Sequence, residues 1–199
     1  MVEFGMAQKA PLAKLSPEEY LALERSSEVK HEYAGGEVFA MSGGTREHSL
    51  IAANVVGELR SSLRALPCEA HASDLRIKNV TTGRYVYPDA SVVCGQPLFE
   101  DEHRDTLLNP TAVFEVLSDS SESYDRGGKF ALYRGIPSIA DYVLLSQKQV
   151  EIEHFRRQPD GTWLLRVLGP GERLLIASIG CDLTVDELYL KVFARPTSG

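Results

Sequence analysis

Three ionisable groups carry the chemistry this chain is equipped to do: Asp89 after Tyr87-Pro88, Glu115 inside the apolar run Ala112 to Leu117, and Lys129 on a polar segment with Asp125. Two carboxylates on successive strands can hold a hard divalent cation through oxygen. A neighbouring ammonium can orient an attacking water and steady developing negative charge, so the set suits metal-dependent phosphodiester hydrolysis. Glu115 is the most telling member, because an unpaired carboxylate in a buried apolar strand must find a cation or take up a proton. A divalent metal or a buried lysine or arginine would serve it equally. Lys129 falls four residues after Asp125 and four before Tyr133, which puts the three on one helical face. Asp89 follows a proline that interrupts a regular strand, so it either turns into a site at a bend or sits solvated in a turn.

The elements that must position these groups can be read from caps, turns and periodicity. Ser16-Pro17-Glu18-Glu19 forms a capping box that starts a short helix. Val29 to Met41 reads as a hairpin about Gly35-Gly36. Thr45 caps a long helix whose apolar stripe of Leu50, Ile51, Val55 and Leu59 runs on towards Pro67. Cys68 to Lys78 and Arg84 to Cys94 read as two strands joined through Thr81-Thr82-Gly83, and Thr111 to Leu117 as a buried central strand. Glu122 to Arg134 is a helix ending near Gly135. Asp141 to Ser146, Gln149 to Arg156, Thr162 to Leu168 and Glu172 to Ile176 are further strands, and Thr184 to Val192 a closing helix with a Thr184/Glu187 capping box. The order predicts an α/β class with a mixed, mostly antiparallel sheet flanked by helices.

At 199 residues the chain accommodates one well-cored domain, expected over residues 15–192, with tails at 1–14 and 193–199. Hydrophobic residues at 43% and charged residues at 25% predict a packed core rather than disorder. Cys68, Cys94 and Cys181 form no CxxC pair, so the sequence supports neither a zinc module nor a disulfide framework, and the odd count suits a reducing cytoplasm. No apolar run reaches the length of a membrane span, and the first residues lack a signal-peptide pattern. The net charge of −7 argues against tight non-specific DNA binding. Local basic surfaces remain available in Arg76, Lys78 and Arg84 around one hairpin and in Arg126, Lys129 and Arg134 on one helix.

The ordered combination of Lys30-His31-Glu32-Tyr33, Gly36-Glu37-Val38, Glu47-His48, Pro88-Asp89, Glu115-Val116-Leu117-Ser118 and Asp125-Arg126-Gly127-Gly128-Lys129 with Tyr133 resembles the Uma family of restriction endonucleases. That family belongs to the PD-(D/E)XK nuclease superfamily. The resemblance implies a restriction-endonuclease-like core with extra C-terminal strands, DNA as substrate, Mg²⁺ or Mn²⁺ as cofactor, and a homodimer. It implies that Asp89, Glu115 and the Val116 carbonyl hold the metal, with Glu37 and His48 as accessory groups. Leu117 stands where the superfamily motif has lysine, and Lys129 resembles the relocated lysine of this family. Asp125 is expected to orient that lysine. Where many members carry an aspartate after the lysine helix, this chain has Val143-Leu144-Leu145-Ser146-Gln147. The leucine at 117 and the acidic charge also motivate an alternative, a nuclease-fold module that binds nucleic acid or a protein partner without cleaving.

Overall fold

Ser16, Pro17 and Glu19 start the first helix as their types require: the Ser16 and Glu19 side chains each accept a hydrogen bond from the other's backbone N–H, at 3.2 and 2.7 Å. In the computed structural model, which describes residues 14–41 and 43–193, this helix is α1, Pro17–Ser26. The expected tails 1–14 and 193–199 lie almost wholly outside those residues. The hairpin follows as β1 (His31–Ala34) and β2 (Glu37–Ala40), with Gly35 and Gly36 both at positive φ in its turn. Thr45 then caps α2, Arg46–Ser62, by accepting the His48 N–H.

The two long strands expected over 68–78 and 84–94 are broken into four. These are β3 (Cys68–Ala72), β4 (Arg76–Asn79), β5 (Arg84–Val86) and β6 (Ala90–Cys94). The breaks fall at Ser73-Asp74 and at Tyr87-Pro88-Asp89, where turn formers and a residue without N–H end the ladders. The chain uses both breaks to pass between two sheets. With β7 (Thr106–Leu107), which the sequence did not signal, one sheet has the order β2-β1-β5-β4-β7. It packs on α1 through Tyr20, Leu21, Tyr33, Val38 and Tyr85.

The second sheet carries the central strand β8 (Ala112–Leu117), then β9 (Asp141–Ser146), β10 (Ile152–Arg157) and β11 (Trp163–Leu168), in the order β11-β10-β9-β8-β6-β3. Only β8 and β9 run parallel in it. Their crossover is the predicted helix, built as α3 (Glu122–Tyr124), a π-helical turn (Asp125–Lys129) and α4 (Phe130–Arg134). Every residue of β8 is buried, and its two faces divide the core. Ala112, Phe114 and Val116 share the cluster of Ile51, Val55 and Leu59 from α2. Val113 and Leu117 share that of Leu132 and Tyr133 from α4. Glu115 falls by parity on the α4 side.

At the C-terminal end β12 (Arg173–Ile176) pairs with β13 (Cys181–Thr184), and α5 covers only Val185–Leu188. The Thr184/Glu187 capping box does not form; the Thr184 hydroxyl donates instead to the Glu187 carboxylate at 2.6 Å. Cysteine behaviour also departs from expectation. Cys68 and Cys94 are directly opposed across β3 and β6 and form a disulfide, which leaves buried Cys181 as the free thiol among the described residues.

Candidate active site

Asp89 owes its position to the end of a ladder. Strand β6 pairs with β8 only as far as Ala90 opposite Phe114, and beyond that point the Asp89 carboxylate replaces the missing strand, Oδ2 accepting the Val116 N–H at 2.7 Å. The N–H and C=O of one strand residue point to the same edge, so the Val116 carbonyl also faces this opening. His48, one turn into α2, brings Nε2 to 3.3 Å from Asp89 Oδ2. This contact raises the imidazole pKa, with burial and Lys129 opposing.

Glu115 and Lys129 meet from opposite elements. The Lys129 ammonium stands 3.0 Å from Glu115 Oε1, 3.2 Å from Glu32 Oε1 and 3.6 Å from Asp125 Oδ1, and it lies 3.4 Å from the Tyr87 carbonyl. The Tyr133 hydroxyl donates to Glu115 Oε1 at 2.7 Å. Lys129 and Tyr133 therefore reach the same carboxylate from one helical face, as their spacing predicts. The π turn between Asp125 and Lys129 is a wider winding that stacks residues four apart more nearly in line, and such turns recur at functional sites.

Burial dominates the electrostatics. It pushes the Glu115 carboxyl up, with Lys129 pulling it back and Asp125 and Asp89 adding to the rise; Asp125 is raised for the same first reason. Burial alone would discharge Lys129, but Glu115, Glu32 and Asp125 together outweigh it and hold the ammonium protonated. As an ammonium this lysine can orient and stabilise but cannot accept a proton.

These groups open into one cleft of about 700 Å³, whose lining includes Glu32, His48, Asp89, Glu115, Asp125 and Lys129. Glu37 stands apart. It shares a face with Glu32, but it sits at the turn end of the hairpin, opposite Ala34, outside the cleft lining. Glu32, to which the sequence assigns no role, is the acid of this hairpin that reaches the ammonium. Its signal is the lone carboxylate in a short, largely buried strand, next to Tyr33. Leu117 also stays out of the cleft, buried in the cluster of Val113, Leu132 and Tyr133. Gln147, just past the end of β9, accepts from the Thr45 hydroxyl at 2.7 Å and so ties β9 to the start of α2.

The donor set fits a hard cation. Five carboxylates, of Glu32, Asp89, Glu115, Asp119 and Asp125, line the cleft with the ammoniums of Lys30 and Lys129 and the His48 imidazole, and Asp125 Oδ1 is buried with no hydrogen-bond partner among the described residues. Among those residues no three His, Cys, Asp or Glu side chains are preassembled around one point. The Lys129 ammonium stands among the carboxylates of Glu32, Glu115 and Asp125. Asp89, Glu115 and the Val116 carbonyl remain as an oxygen set on the edge of β8.

The basic surfaces expected from sequence are largely neutralised. Arg76 is buried and paired with Asp105 at 2.6 Å, Lys78 is paired with Glu100, and Arg126 with Glu122 and Glu153. Arg84 donates to the Tyr124 hydroxyl at 3.1 Å, and Arg134 lies over the Phe130 ring.

The fold and the sequence both have counterparts. Residues 17–186 match the family model Uma2, described as "Putative restriction endonuclease". An uncharacterised protein of Synechocystis sp. (strain ATCC 27184 / PCC 6803 / Kazusa), slr1290, is 42% identical over 180 residues, spanning 90% of this chain and 94% of its own. A second from the same organism, sll1609, is 32% identical over 154 residues, spanning 77% of this chain and 87% of its own. A crystal structure from Anabaena variabilis ATCC 29413, described as a putative nuclease belonging to DUF820, superposes with a TM-score of 0.73 at 19% identity. That match covers 90% of this chain and 99% of the other, and it establishes the shared fold. The sequence match runs from α1 into α5 and takes in every group of the cleft, and on that ground this chain belongs to the Uma2 family.

Proposed function

We propose that the protein is a Mg²⁺- or Mn²⁺-dependent endonuclease that hydrolyses DNA phosphodiester bonds, acting in the cytoplasm as a homodimer. The observation that carries this reading is the convergence of Lys129, from the helix, on Glu115, in the central strand, inside the cleft that also holds Asp89. Family membership supports a nuclease-like activity.

Asp89, Glu115 and the Val116 carbonyl would hold the cation. When bound, it would supply Lewis-acid polarisation of the phosphate and a lowered pKa for water. The remaining work falls to the chain. The Lys129 ammonium, kept charged by Glu32 and Asp125, aligns the attacking water and faces the negative charge that builds on phosphorus oxygens. Tyr133 fixes the rotamer of Glu115, and His48 fixes that of Asp89. Asp125 Oδ1, 3.6 Å from the Lys129 ammonium, without a hydrogen-bond partner among the described residues and raised by burial, is placed to accept the proton that the water releases as one ester oxygen departs. Glu37 has no part in this scheme.

Calorimetric titration with Mn²⁺, paired with cleavage assays on plasmid and single-stranded DNA, tests the proposal. Wild-type protein should bind Mn²⁺ and nick DNA. Glu115→Gln and Asp89→Asn should weaken binding and abolish cleavage, with circular dichroism unchanged. Nucleic-acid binding without Mn²⁺ binding or cleavage would instead favour the non-cleaving module.

A further inference from the structure

The outer strand of the six-stranded sheet, β11, is unusual for an edge. Edges are ordinarily blunted by charge, proline or bulges, because their unpaired N–H and C=O groups template pairing with another chain. Here Leu164, Leu165 and Val167 are 52%, 45% and 56% exposed, and Arg166 is the lone charge of the strand. Among the described residues β11 pairs only with β10.

The ladder shows which backbone groups point outward. The Gln158 N–H donates to the Thr162 carbonyl at 2.7 Å at the hairpin end, and on the far side of β10 the Arg157 N–H donates to the Ala140 carbonyl at 2.8 Å. Alternation from these anchors turns the backbones of Leu164 and Arg166 towards β10, and those of Trp163, Leu165 and Val167 towards the free edge. These three side chains also share one sheet face, next to Phe155.

We infer that β11 pairs antiparallel with β11 of a second copy of this chain, about a two-fold axis through Leu165. A two-fold axis normal to the sheet keeps faces matched, so the centre must fall on a residue. Centred on Leu165, Trp163 opposes Val167, Leu165 opposes itself, and all three outward-facing backbones find hydrogen-bonded partners. The apolar side chains then form one continuous stripe, and Arg166 lies opposite Leu164. Centring on Arg166 would instead set two guanidiniums directly against each other at the closer, non-hydrogen-bonded spacing of about 4.5 Å. Centring on Leu164 would leave Val167 unpaired. Charge and backbone direction therefore select the same register. The pairing does not depend on what the cleft does.

Gel filtration with light scattering on the purified chain at micromolar concentration tests it. The wild type should run as a dimer, and Leu165→Lys should weaken that dimer at least about tenfold while keeping the wild-type circular dichroism, since it places like charges face to face. Leu165→Cys should cross-link to itself under mild oxidation, and Arg166→Cys should not. A monomeric wild type, an unaffected Leu165→Lys dimer, or cross-linking as readily from Arg166→Cys would each overturn the inference.

Discussion

Lys129 Nζ lies 3.0 Å from Glu115 Oε1 with both side chains under a tenth exposed, so the pair depends on its neighbours rather than on water. Replacing the ammonium by a shape-matched apolar group, Lys129→Met, recovers the cost of burying the lysine but leaves Glu115, Glu32 and Asp125 without their shared cation. Breaking a buried pair in this way costs about 3–5 kcal/mol, more than the lysine's burial returns. The urea midpoint of Lys129→Met should therefore fall well below that of the wild type, and equal midpoints would show that these carboxylates do not rely on Lys129.

A second network sets the acid limit of stability. Asp105 receives Arg25 Nε at 2.8 Å and Arg76 Nη2 at 2.6 Å, tying α1 to β4. The Arg25 hydrogen bonds, joined by Arg76 and opposed by burial, hold its carboxyl well below the usual range. A carboxyl lowered in the folded state stabilises fully above its unfolded pKa of about 3.9, and that contribution is lost as pH falls below it. Asp105→Asn should thus be less stable at neutral pH and should lose less on acidification from about pH 4 to 2. Parallel acid limbs in chemical denaturation would remove Asp105 from the explanation.

The parts of the site that follow local rules were legible in the sequence, and the parts made by two sheets meeting were not. Spacing placed Asp125, Lys129 and Tyr133 on one face, and the apolar run around Glu115 required a partner; the structure supplies Lys129 at that carboxylate. The bend at Pro88 was visible, but not that it hands the chain from one sheet to the other and leaves Asp89 to cap Val116. Glu32 rather than Glu37 reaches the ammonium because the choice between two same-face acids depends on distance from a helix far away in sequence. Leu117 shares the parity of Glu115, yet it is buried beneath α4, which parity alone does not report. The Cys68 to Cys94 disulfide needed the β3 to β6 register, since no short spacing announces it.

The glycines of two helical segments make opposed predictions from one substitution. Gly57 lies exposed in the middle of α2, and a Cβ added there meets nothing within 4 Å. Gly57→Ala should therefore stabilise by about 0.5–1 kcal/mol, the helical preference for alanine. Gly128 lies in the π turn, where the same Cβ would come 2.7 and 2.8 Å from two carbons of the Tyr124 ring. That ring is buried, its hydroxyl is held by Arg84, and the Lys129 ammonium lies 5.9 Å from its centroid. Moving it costs about 1–3 kcal/mol as overpacking, which outweighs the gain in propensity. Gly128→Ala should accordingly lower the melting temperature while Gly57→Ala raises it. It should also weaken Mn²⁺ binding in calorimetry, because Tyr124 and Lys129 cannot shift without disturbing Glu115. If Gly128→Ala proves as stabilising as Gly57→Ala, the close packing of Tyr124 on the π turn is not what holds the lysine in place.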